Sequence, residues 1–353
     1  MSATKIVKLD NLIPKDEHIK EAADILAGGG LVIMPTETVY GIAANMLDKK
    51  AVDRLYQIKQ RPKDKQFSLH IDSIDQVGEF AKDIPIRAYK LMSRFWPGPL
   101  TLILKAKDKD TVGIRMPDNE IALRIIRFAG VPVVCPSANL NGRPAPINFK
   151  EAIKDLQGLV DFAIDAGPTK LGVESTIVDL TSACCPQVIR EGAIKKEEID
   201  SVVNKKTVLF VCTGNSCRSV MAKAILEKKI KEVKRIDVEV ISAGMMASGM
   251  GATEETKELL RQEGIDVSGH RSQRVSKEIL DRSDIILVME RLQEKRLLQL
   301  APEIKNRLFL LKEFAKISNN KMDIDDPIGK PLEVYEQTLG VITEAIERIA
   351  QII

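Results

Sequence analysis

The sequence predicts an α/β protein of two domains, and three observations predict it. Short β-branched or apolar runs alternate with helical patterns along the chain, as where helices cover a largely parallel sheet. At 353 residues the chain is longer than one compact core usually grows. Between two complete-looking α/β patterns, the segment 193–206 is short, highly charged and weakly periodic. The reading is therefore one domain over 1–195, a linker over 196–206 and a second domain over 207–353.

In the first domain a helix over 19–27 runs into the triple glycine 28–30, a helix stop, and feeds a strand at 31–34. A second helix covers 50–60, and strands follow at 67–71, 100–105, 131–134, 175–180 and 187–190. In the second domain a strand at 207–211 leads through a loop into a helix at 218–231. Strands at 237–242 and 284–289 and a helix from Leu332 onward complete a small doubly wound pattern. No period links the two halves.

Bulk properties narrow the classes of function. With 29% charged and 44% apolar residues the composition is globular. A net charge of +3, with both signs interspersed, argues against a polycation that holds nucleic acid, so any anion site is local. Five cysteines lack paired metal-ligand spacing, so no metal site is expected and a reducing cytoplasm is. The start, MSATKIVKLD, has no apolar leader, and the apolar runs near Val208 and Ile285 are too short to span a bilayer. No membrane partner is expected.

The most specific signal is V-C-T-G-N-S-C-R-S at 211–219, directly after a strand and before a helix. The loop Thr213, Gly214, Asn215, Ser216, Cys217 can wrap its N–H groups around a tetrahedral oxyanion while the helix points its positive end there. Arg218 supplies a planar bidentate partner for phosphate oxygens. That cradle favours the thiolate of Cys212, a nucleophile able to take a phosphoryl group. Asp326, in D-D-P-I-G, is the candidate general acid, since Asp-Pro fixes a loop that can hold a carboxylate over the site; Asp325 is the weaker choice. No G-x-S-x-G esterase elbow is present.

These residues resemble the low-molecular-weight protein phosphatase family, over about 145 residues to Ile353. The resemblance implies a parallel doubly wound sheet, Cys212 as nucleophile, Arg218 as phosphate clamp, Asp326 as proton donor, and Asn215 and Ser219 ordering loop and thiolate. It gives S-A-G at 242–244 and G-H-R-S at 269–272 supporting roles. Cys217 is either a reversible disulfide partner of Cys212 or a buried spectator. Ile328 and Gly329 stand where tyrosine-directed members carry aromatics, and Ser216 resembles the small hydroxyl residue of bacterial protein-arginine phosphatases. Phosphoarginine on protein is the expected substrate, with phosphotyrosine the alternative. Arsenate reduction needs resolving cysteines further along, and none follows Cys217.

The first domain carries P-T-E-T-V-Y-G at 35–41, K-Q-R-P at 59–62, W-P-G-P-L-T at 96–101 and P-S-A-N-L-N-G-R at 136–143. Lys59, Arg61, Lys65, Arg115, Arg143 and Arg190 fall at helix ends, loops or strand ends, where several can converge on a polyanion. No Walker loop is present.

In order and spacing this set resembles the YrdC-type threonylcarbamoyl-AMP synthases, over roughly 5–193. The resemblance implies a twisted mixed sheet with helices. It implies an enzyme that combines L-threonine, bicarbonate and ATP with magnesium (Mg2+), releases pyrophosphate, and hands its product to a partner transferase that modifies tRNA. Carried over by position, Thr38, His70, Arg115 and Ser175 contact threonine, with Cys135 closing that pocket. Arg61, Lys65, Thr111, Ser137, Ala145 and Arg190 lie around ATP, with Lys59 and Asn139 completing K-x-R and S-x-N pairs. Lys65-Gln66 and Arg190-Glu191-Gly192 depart from the family pattern, the second placing an acid beside an ATP-binding arginine. A non-catalytic RNA- or nucleotide-binding module, and direct contact with tRNA, stay open as alternatives.

Overall fold

The computed structural model describes residues 3–9, 16–182, 186–246, 249–317 and 321–352. The chain divides into two compact units, Met1–Val203 and Asn204–Ile353. Each has its own cores.

The first unit holds strands β1 (Lys5–Lys8), β2 (Val32–Met34), β3 (Gly41–Asn45), β4 (Leu69–His70), β5 (Leu100–Lys105), β6 (Thr111–Arg115), β7 (Val133–Val134), β8 (Phe162–Asp165), β9 (Thr176–Asp179) and β10 (Gln187–Arg190). They form one sheet in the order β1-β8-β2-β3-β7-β4-β6-β5-β9-β10. The sheet is mixed: β2 and β3 pair antiparallel, β4 and β6 parallel, β5 and β6 antiparallel. Every residue of β2 and β3 is buried, which is why these strands read as continuous apolar or small-residue runs.

Helix Asp16–Ala27 buries Ile19, Ala22, Ala23 and Leu26, one stripe at helical spacing, in the same core as Ile121, Ala122 and Ile125 of helix Glu120–Ala129. Helix Lys49–Lys59 starts where the Asp48 side chain accepts the N–H groups of Lys50 and Ala51, and stops at Gln60, which adopts a left-handed φ of 48°.

The expected linker is corrected in part. Lys196–Val203 is a helix whose Ile199 and Val203 sit in the core with Leu91 and Ile194. Its charged first turn hides a two-residue apolar stripe that belongs to the first unit.

The second unit is a parallel sheet of β11 (Lys206–Cys212), β12 (Val238–Gly244), β13 (Ile285–Val288) and β14 (Leu308–Leu310), in the order β12-β11-β13-β14. Both faces are covered. Val208, Phe210 and Cys212 enter one core with helices Arg218–Glu232 and Leu332–Ala350, while Leu209 and Val211 enter the other with Leu280 and Leu297. Because β12 and β13 flank β11 on opposite sides, the connections diverge at its carboxyl end, where a crevice opens. Cys212 is the last residue of that strand. Among the described residues no helix is long and apolar enough to cross a membrane.

Candidate active sites

At the carboxyl end of β11 the loop closes around one sulfur atom. Cys212 is 2% exposed, its Sγ receives the N–H of Asn215 at 3.2 Å, and the Ser219 hydroxyl lies 3.0 Å away. Asn215 makes that turn possible with a left-handed φ of 53°, and its side chain locks it, donating to Ser219 Oγ and Ser242 Oγ, both at 2.9 Å, and accepting from Gln273 N at 3.0 Å. His270 Nε2 lies 2.8 Å from the Asn215 carbonyl oxygen. Gly244 presses against the same loop so closely that a Cβ there would lie 2.9 Å from Asn215 N. The S-A-G and G-H-R-S segments thus build the outer wall of the loop.

Arg218 opens the 15-residue helix that follows and is 1% exposed. Its Nη1 donates to Glu290 Oε1 and to the Ile324 carbonyl, both at 2.8 Å, its Nη2 reaches Thr213 Oγ1 at 3.4 Å and pairs with Asp326, and its buried Nε has no partner. The acid loop is tied down around it: Ile324 N donates to Met289 O, and buried Lys312 donates to the carbonyls of Lys321 and Asp323. Arg218 thus ties Asp326 and Glu290, both distant in sequence, to the loop that holds Cys212. Cys217 points into the core beside Thr253 Oγ1 at 3.6 Å and Tyr335 Oη at 4.0 Å; it and Cys212 are free thiols. Burial pushes the Tyr335 phenol up to about 12.

The first unit contains a cavity of about 280 Å³ whose lining includes Lys59, Arg61, Arg115 and Arg190. Arg115, 5% exposed at the end of β6, is aimed by Glu37 Oε1 at 2.7 Å, Thr38 Oγ1 at 2.8 Å and the Gly98 carbonyl at 3.3 Å. Arg190 grips the Ser175 carbonyl from Nε and Nη2 and the Glu174 carboxylate from Nη1 at 2.7 Å. Ser175 Oγ and Thr101 Oγ1, both lining, lie 3.0 Å apart. Lys59 donates to the carbonyls of Ser137 and Asn139, each at 2.5 Å, and to Asn139 Oδ1 at 2.8 Å, so all three of its ammonium protons are engaged. Burial, then the charge of Arg61, lowers its pKa to about 8, while burial pushes the Cys135 thiol up to about 12.

Residues 24–192 match the Sua5/YciO/YrdC family model, described as telomere recombination, and residues 207–353 match low molecular weight phosphotyrosine protein phosphatase. A putative threonylcarbamoyl-AMP synthase of Methanocaldococcus jannaschii is 35% identical over 206 residues, 55% of this chain and 96% of that protein. The chain belongs to the Sua5/YciO/YrdC family. The threonylcarbamoyl-AMP synthase of Pyrococcus abyssi is 43% identical over 213 residues, 58% of this chain but 62% of its own length, so the chain spans under two thirds of that relative. The crystal structure of P. abyssi Sua5 complexed with L-threonine is similar at a TM-score of 0.55 and 30% identity, covering 79% of this chain and 96% of that one. Asn204–Ile353 is accordingly a low-molecular-weight phosphatase domain joined to a Sua5-family unit.

The Sua5-family cavity gathers Lys59, Arg61, Arg115, Cys135, Ser137, Asn139, Ser175 and Arg190 from the expected set. Thr38 lies behind the lining, fully buried, where it supports Arg115. Lys65, Thr111 and Ala145 do not line it. Thr111 starts β6, four residues from Arg115 and so roughly 13 Å away along the strand, and Lys65 is exposed, touching Arg61 through its carbonyl. His70 does not line this cavity either: it is 4% exposed on β4, in register with Arg115, with Nδ1 unpartnered, and it borders a second cavity of about 410 Å³. Burial, then the Arg115 charge, lowers its pKa to about 3, so the ring is neutral. Lys59 ties helix to loop instead of presenting a free ammonium. Glu191 faces Lys195 and the Lys196 N–H, with no contact to Arg190. Sequence reasoning missed Thr36, Thr101 and Glu174, whose signals were the first threonine of P-T-E-T, the threonine closing W-P-G-P-L-T and the acid before Ser175.

Proposed function

We propose that the first unit makes threonylcarbamoyl-AMP from L-threonine, bicarbonate and ATP, and that the phosphatase domain removes phosphoryl groups from phosphoarginine on proteins. The synthase reading rests on a cavity that converges Arg61, Arg115 and Arg190 with the Ser137, Thr101 and Ser175 hydroxyls, and is supported by the P. abyssi relative. Arg115, held rigid by Glu37, suits the threonine carboxylate. Arg61 and Arg190 suit a triphosphate. The carbamate of threonine, formed from its amine and bicarbonate with loss of water, attacks the α-phosphorus as the bond to the β-phosphate bridge breaks and pyrophosphate leaves. The side chains act by positioning and by offsetting charge. Magnesium would enter on the triphosphate, with Glu174 the lining carboxylate able to face it. The product needs a partner transferase to reach tRNA.

The phosphatase reading rests on Cys212 at the centre of its loop with Arg218 beside it. The thiolate attacks phosphorus, Asp326 gives its proton to the departing nitrogen, and water then cleaves the S–P bond. Ser216 and the exposed Ile328 support phosphoarginine over an aryl ester; phosphotyrosine is the second reading, favoured by the description of the matched family. One experiment tests both halves in the full chain: pyrophosphate release that requires threonine and bicarbonate, and hydrolysis of phosphoarginine and phosphotyrosine measured side by side. Cys212→Ser should abolish hydrolysis and leave pyrophosphate release intact. Nucleotide binding without pyrophosphate release would make the first unit a binding module instead.

A further inference from the structure

We propose that Thr101, together with Ser175, holds the bicarbonate from which the carbamate of threonine is made. The inference rests on the synthase reading and gives its third substrate a place. Four adjacent strands of the first unit run in the order β6-β5-β9-β10. Arg115 ends β6, Thr101 is the second residue of β5, Ser175 immediately precedes β9, and Arg190 ends β10. Ile177 of β9 is in register with Thr101 on one side and with Arg190 on the other, and Leu102 of β5 faces Ile114, the residue before Arg115. Neighbouring strands lie about 5 Å apart, so the two hydroxyls fall between the guanidinium that suits the threonine carboxylate and one that suits the triphosphate. Thr101, Arg115, Ser175 and Arg190 all line the cavity. The carbonate-derived carbon has the same place in the reaction, between the threonine nitrogen and the α-phosphate.

The hydroxyl protons turn the pair toward a ligand. Arg190 Nη2, a donor only, donates to Ser175 Oγ at 3.2 Å, and Ser175 Oγ lies 3.0 Å from Thr101 Oγ1. One of the two hydroxyl protons makes the bond between them. Whichever way that bond runs, the other proton meets no protein acceptor among the described residues. By contrast, the cavity hydroxyls of Thr36 and Ser137 donate to the Val39 carbonyl and to Asn139 Oδ1, both at 2.6 Å. Thr101 is 3% exposed and Ser175 5%, so the remaining proton faces the cavity and not bulk water. A hydroxyl pair of this kind offers one donor and spare lone pairs. It matches bicarbonate, which accepts hydrogen bonds and carries one O–H of its own, whereas carboxylates and phosphates are best matched by guanidinium groups. There the neutral threonine amine bonds to the bicarbonate carbon as the C–OH bond breaks; the departing hydroxide takes a proton from that nitrogen and leaves as water. The carbamate stays on the hydroxyls beside the triphosphate.

The test titrates bicarbonate against pyrophosphate release in the full-length chain, in Thr101→Val, which keeps the shape without the hydroxyl, and in Thr101→Ser, which keeps the hydroxyl. Thr101→Val should raise KM for bicarbonate by about tenfold or more, equivalent to about 1.4 kcal/mol. Its KM values for threonine and ATP should stay near those of the wild type, and high bicarbonate should restore its rate. Thr101→Ser should recover most of the bicarbonate affinity. An unchanged urea transition in the fluorescence of Trp96, the single tryptophan, shows that the variants fold. An equal rise in KM for all three substrates, no rise at all, or a loss of rate that bicarbonate does not restore overturns the proposal and leaves the synthase reading standing. A wild type that releases no pyrophosphate with all three substrates present overturns both.

Discussion

His70 illustrates how burial sets the chemistry of a single side chain. Its ring is held neutral because burial and the Arg115 charge lower its pKa from 6.5 to about 3. The unfolded chain binds a proton below pH 6.5 and the native chain does not, so stability is complete above pH 6.5 and lost as pH falls toward 3. We expect a loss of order 5 kcal/mol across that window. Trp96 is the single tryptophan and lies in the first unit, donating to the Leu100 carbonyl at 2.7 Å; urea unfolding followed by its fluorescence reads that unit alone. The loss should shrink in His70→Leu, and an identical pH profile in that variant would rule out the histidine as its source. Asn215 makes a comparable case in the phosphatase domain. Asn215→Ala removes two donors and an acceptor from a left-handed turn; phosphatase kcat should fall by roughly a hundredfold, about 2.7 kcal/mol, in steady-state assays.

At the scale of elements, close packing explains what was legible and what was not. The strand at 100–105 is observed as expected because five consecutive apolar or β-branched residues leave little choice. The short strands β1, β3, β6, β8 and β14 went unread; β3 is Gly-Ile-Ala-Ala-Asn, with too little bulk to signal a strand. The phosphatase loop was readable because its cysteine, amides and arginine fall within one run of residues, 212–218. The Sua5-family cavity draws on residues from Thr36 to Arg190, and linear spacing does not encode which of those side chains converge. That is why Thr101 and Glu174 were missed and why Thr111 lies a strand length from the rest. Gly244→Ala tests the packing directly. Its Cβ would meet Asn215 N and Gly214 C at 2.9 Å, so strand and loop must separate, and phosphatase activity should fall by at least tenfold while threonine-dependent pyrophosphate release is unchanged. Lys312→Met should lower phosphatase kcat more than it raises KM, since Lys312 holds the carbonyls of the loop that carries Asp326.

For the whole molecule, each unit has its own sheet, cores and candidate site. Lys59→Met should impair pyrophosphate release without touching phosphatase activity. In urea, the Trp96 signal and Cys212-dependent hydrolysis should be lost at different midpoints, whereas coincident transitions would mean that the units unfold as one.

Arg218 fastens Thr213, Glu290, Ile324 and Asp326 with one planar group. Its removal therefore unfastens the proposed proton donor along with the proposed phosphate clamp. Combined with a change at Asp326, it should show strong epistasis: the double variant would be scarcely worse than Arg218→Ala alone, a coupling that a double-mutant cycle measures.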